Sequence, residues 1–343
     1  MYQVSGLALA DKRSADWDKF VKSSTDGSFF HLAGWQQVLA DLGHQGFYLY
    51  ATLDQKIVGV LPLARVKSRL FGDALVSTPF CVYGGALGED DVKRHLEQSA
   101  ITLAKELGVD HLELRYRQPQ NNQLITRVQH ATFQCALPES DADILAGIKK
   151  KQRAVIRQSL NQQLNVTLDN TLDSFYQTYS ESVRNLGTPV FSKRYFQSLF
   201  DVFGDSAEIL TVRKDGKAVS SVLSFYYKQQ VLPYYGGGVS AARELKSNDF
   251  MYYQLMCHAR HDKACDSYDF GRSKLDSGAY SYKKHWGMVP EELHYQYQLI
   301  NADALPNLSP NNPKYQLFIK LWQKLPLAVS QWLGPKISRY LGQ

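Results

Sequence analysis

Alternating hydrophobic and polar positions along the chain predict two copies of one folding unit. Apolar residues alternate through 47–66 on either side of a polar turn, which predicts a β-hairpin. The same pattern recurs at 207–227, where Asp-Gly stands at the centre of the turn. Each hairpin is followed by an apolar strand that contains Tyr-Gly-Gly, at 74–87 and at 231–239.

A helix and a further strand complete each copy. Apolar residues at helical spacing predict helices at 90–108 and 248–264, and short apolar runs predict strands at 109–117 and 267–273. An antiparallel hairpin followed by a strand, a crossover helix and another strand predicts a mixed sheet with helices on its faces. The chain is therefore predicted to have an α/β fold.

The length of the chain agrees with two units. A chain of 343 residues is longer than one typical hydrophobic core requires. The repeat predicts a first unit at 1–140, a second unit at 141–300 that opens with a basic helix, and a helical tail at 301–343.

Glycines recur at the same point of both copies, in Tyr83-Gly84-Gly85 and in Tyr235-Gly236-Gly237-Gly238. Repeated glycine at the end of a strand indicates a bulge, or a backbone that a ligand approaches closely. For either copy alone, glycine that merely ends a strand is an equal alternative. The recurrence favours a shared structural device.

The segment 141–164 predicts a basic helix with one apolar face. Lys149, Arg153 and Arg157 recur at i, i+4 and i+8, with Lys150 and Lys151 beside them. A solvated surface helix is the alternative, but such a helix usually carries acidic partners, and none lies within a turn of these cations. The stripe predicts binding of a phosphate or pyrophosphate.

Charge and cysteine usage narrow the class of protein. A net charge of +6 favours an anionic partner only weakly. The four cysteines form no CxxC pair, which predicts reduced thiols and a cytoplasmic protein, and the amino terminus lacks the pattern of a signal peptide. No apolar run is long enough to span a bilayer.

Other common chemistries find no support in the sequence. Cys257, His261 and Cys265 span two helical turns, about 12 Å, which is too far for one metal ion. No metal site is predicted. The G-x-S-x-G, P-loop and dinucleotide fingerprints are absent.

Four segments of the chain carry a family resemblance: "FFHLAGWQQVL" (29–39), "KQRAVIR" (151–157), "YYGGG" (234–238) and "YDFGRSK…GAYSYKKHWG" (268–287). In these segments the chain resembles the FemAB family of aminoacyl- and acyltransferases, which are built of two GNAT-like acyltransferase units. The likeness spans about residues 25–300. The resemblance implies a tandem pair of GNAT-like units and acyltransferase activity of class EC 2.3.

The C-terminal segment 312–342 carries a narrower resemblance, to FemAB-like proteins associated with PEP-CTERM and exopolysaccharide gene clusters. That resemblance implies work on the cell envelope, whose precursors include those of peptidoglycan and exopolysaccharide. It does not supply the substrate.

The chain departs from the family in two places. The turn before the helix 248–264 reads "SAARELKSNDF" and lacks the glycines that hold a pyrophosphate in CoA-dependent relatives. Residues 155–206 also lack the heptads of a coiled-coil arm. No tightly bound cofactor is predicted, and the acyl donor stays open among acyl-CoA, an acyl-carrier thioester and aminoacyl-tRNA.

The resemblance places the reaction at the ends of the second Tyr-Gly-Gly strand and of the strand that contains Asp269. It implies that backbone N–H groups of Gly236, Gly237 and Gly238 stabilise an oxyanion and that Lys283 or Lys284 supplies a cation. Asp269 and Tyr235 are the candidates for taking the proton of the amine, although a turn-forming role for Asp269 is nearly as well supported. The predicted substrate-binding residues are Trp35, Tyr83, Lys149, Lys150, Arg153, Arg157, Arg272, Lys274, Tyr280, Tyr282 and Trp286.

The predicted function is therefore amide formation on a cell-envelope or exopolysaccharide precursor by an N-acyl- or aminoacyltransferase. Two alternatives stay open: an inactive GNAT-like module that binds a polyanionic glycan or lipid-linked intermediate, and an acyl-CoA-dependent N-acyltransferase that acts on a small amine. The expected partner is an anionic phosphate-bearing or glycan substrate. Transfer RNA is a weaker candidate, and DNA is not expected.

The tail 313–343 mixes Leu and Trp residues with Lys314, Lys320, Lys324, Lys336 and Arg339, and it contains no acidic residue. Pro326 and Pro335 predict that it divides into short helices. This composition suits contact with the inner face of an anionic membrane. The alternative, a tail that docks on the protein's own core, is somewhat favoured because prolines interrupt an amphipathic helix.

Overall fold

The computed structural model describes residues 2–68, 71–305 and 313–342 and divides the chain into two compact units. Unit 1 comprises Met1–Gln129, Glu292–Ser309 and Arg339–Gln343, and unit 2 comprises His130–Glu291 and Pro310–Ser338. None of the helices in the described ranges is both long enough and apolar enough to cross a bilayer.

The first repeat of the sequence forms most of unit 1. Its strands are β1 (Gln3–Leu7), β2 (Gln45–Leu53), β3 (Lys56–Ser68), β4 (Gly72–Ser77), β5 (Leu87–Gly88) and β6 (His111–Tyr116). Its helices are α1 (Ser14–Ser23), α2 (Trp35–Asp41) and α3 (Asp90–Leu107), with a short 3-10 helix at Phe29–His31. Strand β7 (Ile125–Ala136) follows and passes from unit 1 into unit 2.

The second repeat forms most of unit 2. Its strands are β8 (Asn165–Asp169), β9 (Ala207–Lys214), β10 (Lys217–Tyr227), β11 (Gln230–Gly238), β12 (Ser267–Asp269) and β13 (Ser273–Lys274). Its helices are α4 (Asp141–Gly147), α5 (Lys150–Leu160), α6 (Asp173–Leu186), α7 (Lys193–Phe203), α8 (Ala242–Leu245), α9 (Ser247–His261) and α10 (Gly278–His285), with a 3-10 turn at Gly204–Ser206. Strand β14 (Val289–Leu299), α11 (Pro313–Trp322) and α12 (Leu327–Ser338) complete the chain.

The two units have the same strand order. In unit 1 the strands lie in the order β1-β2-β3-β4-β6-β14, and in unit 2 in the order β8-β9-β10-β11-β12-β7. In both units the first four strands of this order pair with one another in antiparallel orientation. The fourth and fifth strands pair in parallel orientation. The predicted tandem α/β repeat is therefore confirmed.

Each unit obtains its sixth strand from the other repeat. Strand β7 follows the first repeat, yet in unit 2 its residues 134–136 pair with β12 and His130 and Ala131 pair with β13. Strand β14 follows the second repeat, yet His294–Leu299 pair with β6 in unit 1. This exchange explains why the compact units do not divide at residues 140 and 300, where the sequence repeat alone would place the boundaries.

Two predicted elements are divided in the structure. The predicted strand 74–87 consists of β4 and β5, which both pair with β3 and are separated by the loop 78–86. The predicted basic helix 141–164 is divided into α4 and α5 because Ile148 and Lys149 have extended backbones, with ψ values of 139° and 143°. The side chain of Ile148 is buried at this break.

The tail forms two helices on unit 2. Helices α11 and α12 both pack against α6. Pro326 lies between them as predicted, but Pro335 lies inside α12, so the prediction that it ends a helix is wrong. Residues 306–312 of the predicted tail, and the side chain of Lys314, lie outside the part of the chain that the structure describes.

Candidate active site in unit 2

The two parallel strands β11 and β12 separate soon after they meet. They are paired only at Gln230↔Ser267 and Val231↔Tyr268. Beyond Tyr268 the chain follows β7 instead: the N–H of Phe270 donates to the carbonyl of Phe133 at 2.8 Å, and β13 pairs with His130 and Ala131. Beyond these two pairs β11 and β12 are not paired with each other, and an opening forms between the two strands.

The amides of Gly236 and Gly238 face this opening. The N–H of Val239 donates to the carbonyl of Val219 on β10 at 3.0 Å. Amides alternate in direction along an antiparallel pair, so the N–H of Gly237 also points to β10, whereas those of Gly236 and Gly238 point to the free edge. Two of the three predicted oxyanion donors thus have the required direction, and Gly237 does not.

The three glycines are required for packing within unit 2. A Cβ on Gly236 would lie 2.7 Å from the hydroxyl of Tyr252, one on Gly237 would collide with the side chain of Ser182, and one on Gly238 would lie 2.5 Å from the Cβ of Ala242. Helices α6, α8 and α9 therefore approach the backbone of β11 directly. The predicted equivalence with Tyr83-Gly84-Gly85 is wrong, because those residues lie in the loop between β4 and β5.

Among its described residues, unit 1 has no comparable opening at the corresponding place. Strands β4 and β6 pair from Ala74 to Val76, and the N–H of Arg115 then donates to Oγ of Ser77 at 2.8 Å. The amides of Gly84 and Gly85 both donate to the carbonyl of Arg115, at 3.1 and 2.9 Å. The loop 78–86 thus fills the space that remains open in unit 2.

Buried charges hold this closed region of unit 1 together. The guanidinium of Arg115 donates to Glu113 at 2.6 Å, to the carbonyl of Cys81 at 2.8 Å and to the carbonyl of Gly342 at 2.7 Å. Burial by itself would lower the pKa of Arg115, but the adjacent carboxylate of Glu113 holds that pKa above its ordinary value. Arg115 is therefore a permanent buried cation.

The carboxylate of Asp269 is buried at the end of β12 and is occupied by hydrogen bonds. Oδ1 accepts from Oγ1 of Thr132 at 3.0 Å and from the N–H of Gly271 at 2.8 Å, and Oδ2 accepts from the amide of Gln134 at 2.9 Å. The bond to Gly271 is the Asx turn that the sequence offered as an alternative. Asp269 therefore orders the chain on the far side of the opening.

The ammonium of Lys283 binds the same turn from the other side. Nζ donates to the carbonyls of Gly271 and Arg272, at 2.9 and 3.0 Å, and lies over the ring of Phe270 at 5.3 Å. Burial lowers the pKa of this amine to about 8, the charge of Asp269 acts in the opposite direction and that of Arg272 in the same direction. Lys283 is thus a cation bound to the turn after β12, and the pKa of its amine is about 8.

The hydroxyl of Tyr235 lies in an aromatic cluster and not in a proton-accepting position. It forms a 2.7 Å hydrogen bond with the hydroxyl of Tyr195 on α7. The rings of Tyr179, Phe191 and Phe196 pack around it, and the Tyr235 side chain is buried. Tyr235 therefore joins β11 to the helices α6 and α7.

A hydrogen-bonded group that the sequence did not reveal links α5, α9 and α10. Oδ1 of Asp249 accepts from Nε2 of Gln152 at 2.5 Å and from the hydroxyl of Tyr282 at 2.8 Å. Burial raises the pKa of the Asp249 carboxyl, and these two donors act against it. Nothing in the sequence indicates this contact, since the three residues are far apart along the chain.

The aromatic residues of α10, and Trp286 directly after it, are partly or fully buried. Tyr280 packs against Phe133 at 5.2 Å, and Trp286 packs against Phe270 at 5.7 Å. Trp286 is buried, whereas Tyr280 and Tyr282 are half-buried. The structure therefore assigns Trp286 to the core, and Tyr280 and Tyr282 keep the exposure that substrate contact requires.

The other predicted cations of this region differ in exposure. Arg272 and Lys274 are half-buried, and Lys284 is exposed with its Nζ 5.6 Å from the centre of the Tyr280 ring. Arg272 and Lys274 belong to the chain that follows β12, and Lys283 binds this chain at the carbonyls of Gly271 and Arg272. The fold therefore brings Lys283 to the segment that carries Arg272.

The basic residues of α5 divide into two groups. The guanidinium of Arg153 is folded back, with Nη2 2.9 Å from the carbonyl of Ala146 and Nε 3.2 Å from that of Ile148. Arg153 therefore satisfies carbonyl groups at the break between α4 and α5. Lys149, Lys150 and Arg157 are exposed, and Lys151 is exposed beside them.

Trp35 and Tyr83 do not line a site. Both are buried in unit 1: Nε1 of Trp35 donates to the carbonyl of Phe29 at 3.1 Å, and the ring of Tyr83 packs edge-on against Phe30 at 5.1 Å. Their predicted role in substrate binding is wrong. They are core residues because the aromatic motif at 29–39 packs inward.

Comparison with known proteins agrees with this geometry. Residues 145–284 match the family model described as an acetyltransferase (GNAT) domain, and this match contains the opening between β11 and β12. A solved structure of FemX has a TM-score of 0.65 at 15% sequence identity, with 92% of this chain and 100% of that chain covered. The chain has a FemX-like tandem GNAT fold. The tandem GNAT-like fold that the resemblance to the FemAB family implied is thereby confirmed.

Two further solved structures have the same fold. One is the C-terminal domain of a putative lysylphosphatidylglycerol synthetase from Agrobacterium fabrum, with a TM-score of 0.58, 11% identity, and coverage of 84% of this chain and 92% of that chain. The other is a tandem GNAT protein from the clavulanic acid biosynthesis pathway, with a TM-score of 0.55, 11% identity, and coverage of 89% and 100%. A comparison with curated protein sequences finds no match.

Proposed function

We propose that this protein is an amide-forming acyl- or aminoacyltransferase and that its reaction takes place in unit 2, at the opening between β11 and β12. The observation that carries the proposal is the difference between the units. The opening is present in unit 2, where the Lys283 ammonium binds the turn that follows β12, and the corresponding region of unit 1 is filled by the loop 78–86.

The amides of Gly236 and Gly238, directed away from β10, suit a donor that carries carbonyl groups. Backbone amides at a strand edge are the groups to which an extended donor can bind. In the reaction, an amine attacks the carbonyl carbon of the donor, a C–N bond forms, and the C–O bond of an ester or the C–S bond of a thioester breaks. The amine loses a proton, and the leaving alcohol or thiol takes one up.

Stabilisation of the negative charge that develops on the carbonyl oxygen is assigned to Gly236, Gly238 and Lys283. Preorganised donors aimed at a developing oxyanion contribute strongly to catalysis of acyl transfer. Asp269 is proposed as a positioning residue, because its carboxylate holds the turn to which Lys283 binds. Neither Asp269 nor Tyr235 is proposed as the base, since both are engaged in buried hydrogen bonds.

For the acceptor we propose an anionic, phosphate-bearing precursor of the cell envelope or of an exopolysaccharide. Exposed Lys150, Lys151 and Arg157 lie on α5, which Asp249 links to α10. The cations of α5 are therefore connected to the helix that carries Lys283. The names of the structural neighbours, FemX and a lysylphosphatidylglycerol synthetase, support transfer of an aminoacyl group.

The donor can be identified by label transfer. The full chain is incubated with an amine-bearing, phosphate-containing cell-envelope precursor and, in turn, labelled acetyl-CoA, an acyl-carrier thioester and aminoacyl-tRNA. We expect label to move to the amine from one donor class, and Lys283→Met to abolish the transfer while Lys217→Met, at an exposed turn of unit 2, preserves it. Equal transfer by the wild type and Lys283→Met would contradict the assignment of the site.

A binding module is the second candidate function. The observation that favours it is that the carboxylate of Asp269 and the hydroxyl of Tyr235, the two predicted proton acceptors, are both occupied. This function requires that a phosphate-bearing glycan binds to unit 2 while no donor is consumed. Isothermal titration calorimetry measures binding of the phosphate-bearing glycan, and the label-transfer assay measures consumption of the donor. Binding without consumption supports the binding module, and consumption supports the transferase.

A further inference from the structure

The tail helices bury one face against unit 2 and leave a second apolar face exposed. In α11, Trp322 is buried and stacks on Phe318 at 5.2 Å, and Ile319 approaches Gly187 at the end of α6. In α12, Ser330, Gly334 and Ser338 are buried, which lets the helix backbone approach Val190 closely. These contacts account for the docking of both helices without any of the outward-facing side chains.

The outward-facing side chains are apolar and basic. Leu317 and Leu321 are 64% and 58% exposed and are one helical turn apart, and Trp332 on α12 is 64% exposed. Lys320, Lys324 and Lys336 are exposed between and beside them, and Nζ of Lys336 lies 3.9 Å from the centre of the Trp332 ring. We refer to Leu317, Lys320, Leu321, Lys324, Trp332 and Lys336 as the tail surface.

Exposure of this kind is unusual for helices that are already docked. A large exposed apolar side chain has no stabilising role in water, and contiguous ones mark a contact with another surface. Residues 313–343 contain no Asp or Glu, so α11 and α12 themselves add no negative charge to the tail surface. Leucine and tryptophan with lysine on one side of a helix match a bilayer interface with anionic headgroups.

We propose that the tail surface docks the protein on an anionic lipid bilayer. Because α11 and α12 both place their buried faces on α6, their outer faces point away from it and can meet one surface. Leu317, Leu321 and Trp332 enter the headgroup and acyl boundary, and the three lysines contact lipid phosphates. The proposal does not depend on the acyltransferase assignment, since it involves no residue of the opening.

The protein carries its own reporter for this contact. Its five tryptophans all lie in the described ranges; Trp17, Trp35, Trp286 and Trp322 are buried, and only Trp332 is exposed. We expect the tryptophan emission of the full chain to shift to shorter wavelength with vesicles of phosphatidylglycerol and phosphatidylcholine, and not with vesicles of phosphatidylcholine alone. Trp332→Phe is expected to remove the shift and to preserve binding in part.

Point substitutions test the surface better than truncation. Removing residues 313–343 would also remove Gly342, whose carbonyl accepts from buried Arg115 in unit 1. Each lysine near an anionic surface contributes a factor of about five to binding, so Lys320→Glu with Lys324→Glu is expected to weaken cosedimentation at least about tenfold. Leu317→Ser with Leu321→Ser should also weaken it, and high salt should affect the wild type strongly.

The matched control carries the same kinds of change at the β2–β3 turn of unit 1. Leu53 and Lys56 are exposed there, and Leu53→Ser with Lys56→Glu should sediment with vesicles as the wild type does. The proposal is overturned if the tail variants cosediment with vesicles as much as this control does. It is also overturned if the wild type does not cosediment with phosphatidylglycerol vesicles. It is also overturned if Leu317→Ser with Leu321→Ser changes the oligomeric state and leaves vesicle binding unchanged, because the tail surface would then join two copies of the chain.

Discussion

Asp269 binds the amide N–H of Gly271, and Lys283 binds the carbonyl of the same residue. The carboxylate of Asp269 accepts from the N–H of Gly271 at 2.8 Å, and the ammonium of Lys283 donates to its carbonyl at 2.9 Å. An anion and a cation thus fix a turn that has a positive φ of 72°. The far wall of the opening in unit 2 therefore depends on both charges.

The charge of Lys283 is expected to control activity. Since burial lowers the pKa of its amine to about 8, turnover should fall as pH rises through about 8. Lys283→Met should lower kcat about 10²-fold or more, as loss of an oxyanion donor does. Lys283→Arg keeps the cation at higher pH, so its residual activity should lack the decline near pH 8. A pH–rate profile of the three proteins makes the measurement.

The lowered pKa of Lys283 also makes the free energy of unfolding depend on pH. The unfolded chain binds a proton at Lys283 more readily than the folded chain, with a pKa of 10.5 against about 8. The free energy of unfolding should therefore rise with pH between these values. If Lys283→Met shows the same rise as the wild type in denaturant titrations, Lys283 is not the group responsible.

Asp269→Asn is expected to reduce stability more than it changes the pH–rate profile. The amide group that this substitution introduces cannot accept from Thr132, Gln134 and Gly271 together as the carboxylate does, because its nitrogen is a donor. Buried groups that lose a partner destabilise by about 1–3 kcal/mol. Urea denaturation measures the loss. An unchanged stability together with loss of activity at every pH would make Asp269 a catalytic group instead.

Gly237→Ala is expected to destabilise unit 2 by about 1–3 kcal/mol, because its Cβ would collide with Ser182 on α6. Gly147→Ala is the matched control: its Cβ meets nothing within 4 Å, so a change within about 0.5 kcal/mol is expected. Thermal unfolding of both variants compares them. Equal melting temperatures would show that α6 can move to accommodate the Cβ without a loss of stability.

Arg115→Leu is expected to destabilise the protein by about 3–5 kcal/mol, since it leaves Glu113 buried without its cation. The double variant Arg115→Leu with Glu113→Leu removes both charges and should recover most of this loss. Denaturant titration gives both values. Additive losses in the double variant would show that the pair itself is not the source of the effect.

Local patterns in the sequence predicted most elements of the fold. The predicted helix 90–108 is α3, Asp90–Leu107, and the predicted helix 248–264 is α9, Ser247–His261, because apolar spacing follows the buried face of each helix. The order of strands in the repeat was also accessible, since a hairpin, a strand and a crossover helix permit few arrangements.

The candidate site was harder to predict from the sequence, because its contacts join segments that are far apart along the chain. Arg153 belongs to a basic stripe in the sequence, but only the break before α5 shows that its guanidinium is used for the carbonyls of Ala146 and Ile148. Asp249 has no motif, and its role appears only when Gln152 and Tyr282 reach it. The direction of each amide in Gly236–Gly238 follows from the register with β10, which the sequence does not state.

The exchange of β7 and β14 has a consequence for synthesis of the chain. All strands of unit 2 have left the ribosome once β13 has emerged, whereas the sheet of unit 1 still lacks β14. The first repeat to be synthesised therefore completes its sheet after the second repeat does. During that interval the edge of β6 has no partner strand, and an unpaired edge is where chains associate wrongly. We therefore expect the edge of β6 to be protected only after β14 has emerged and paired with it.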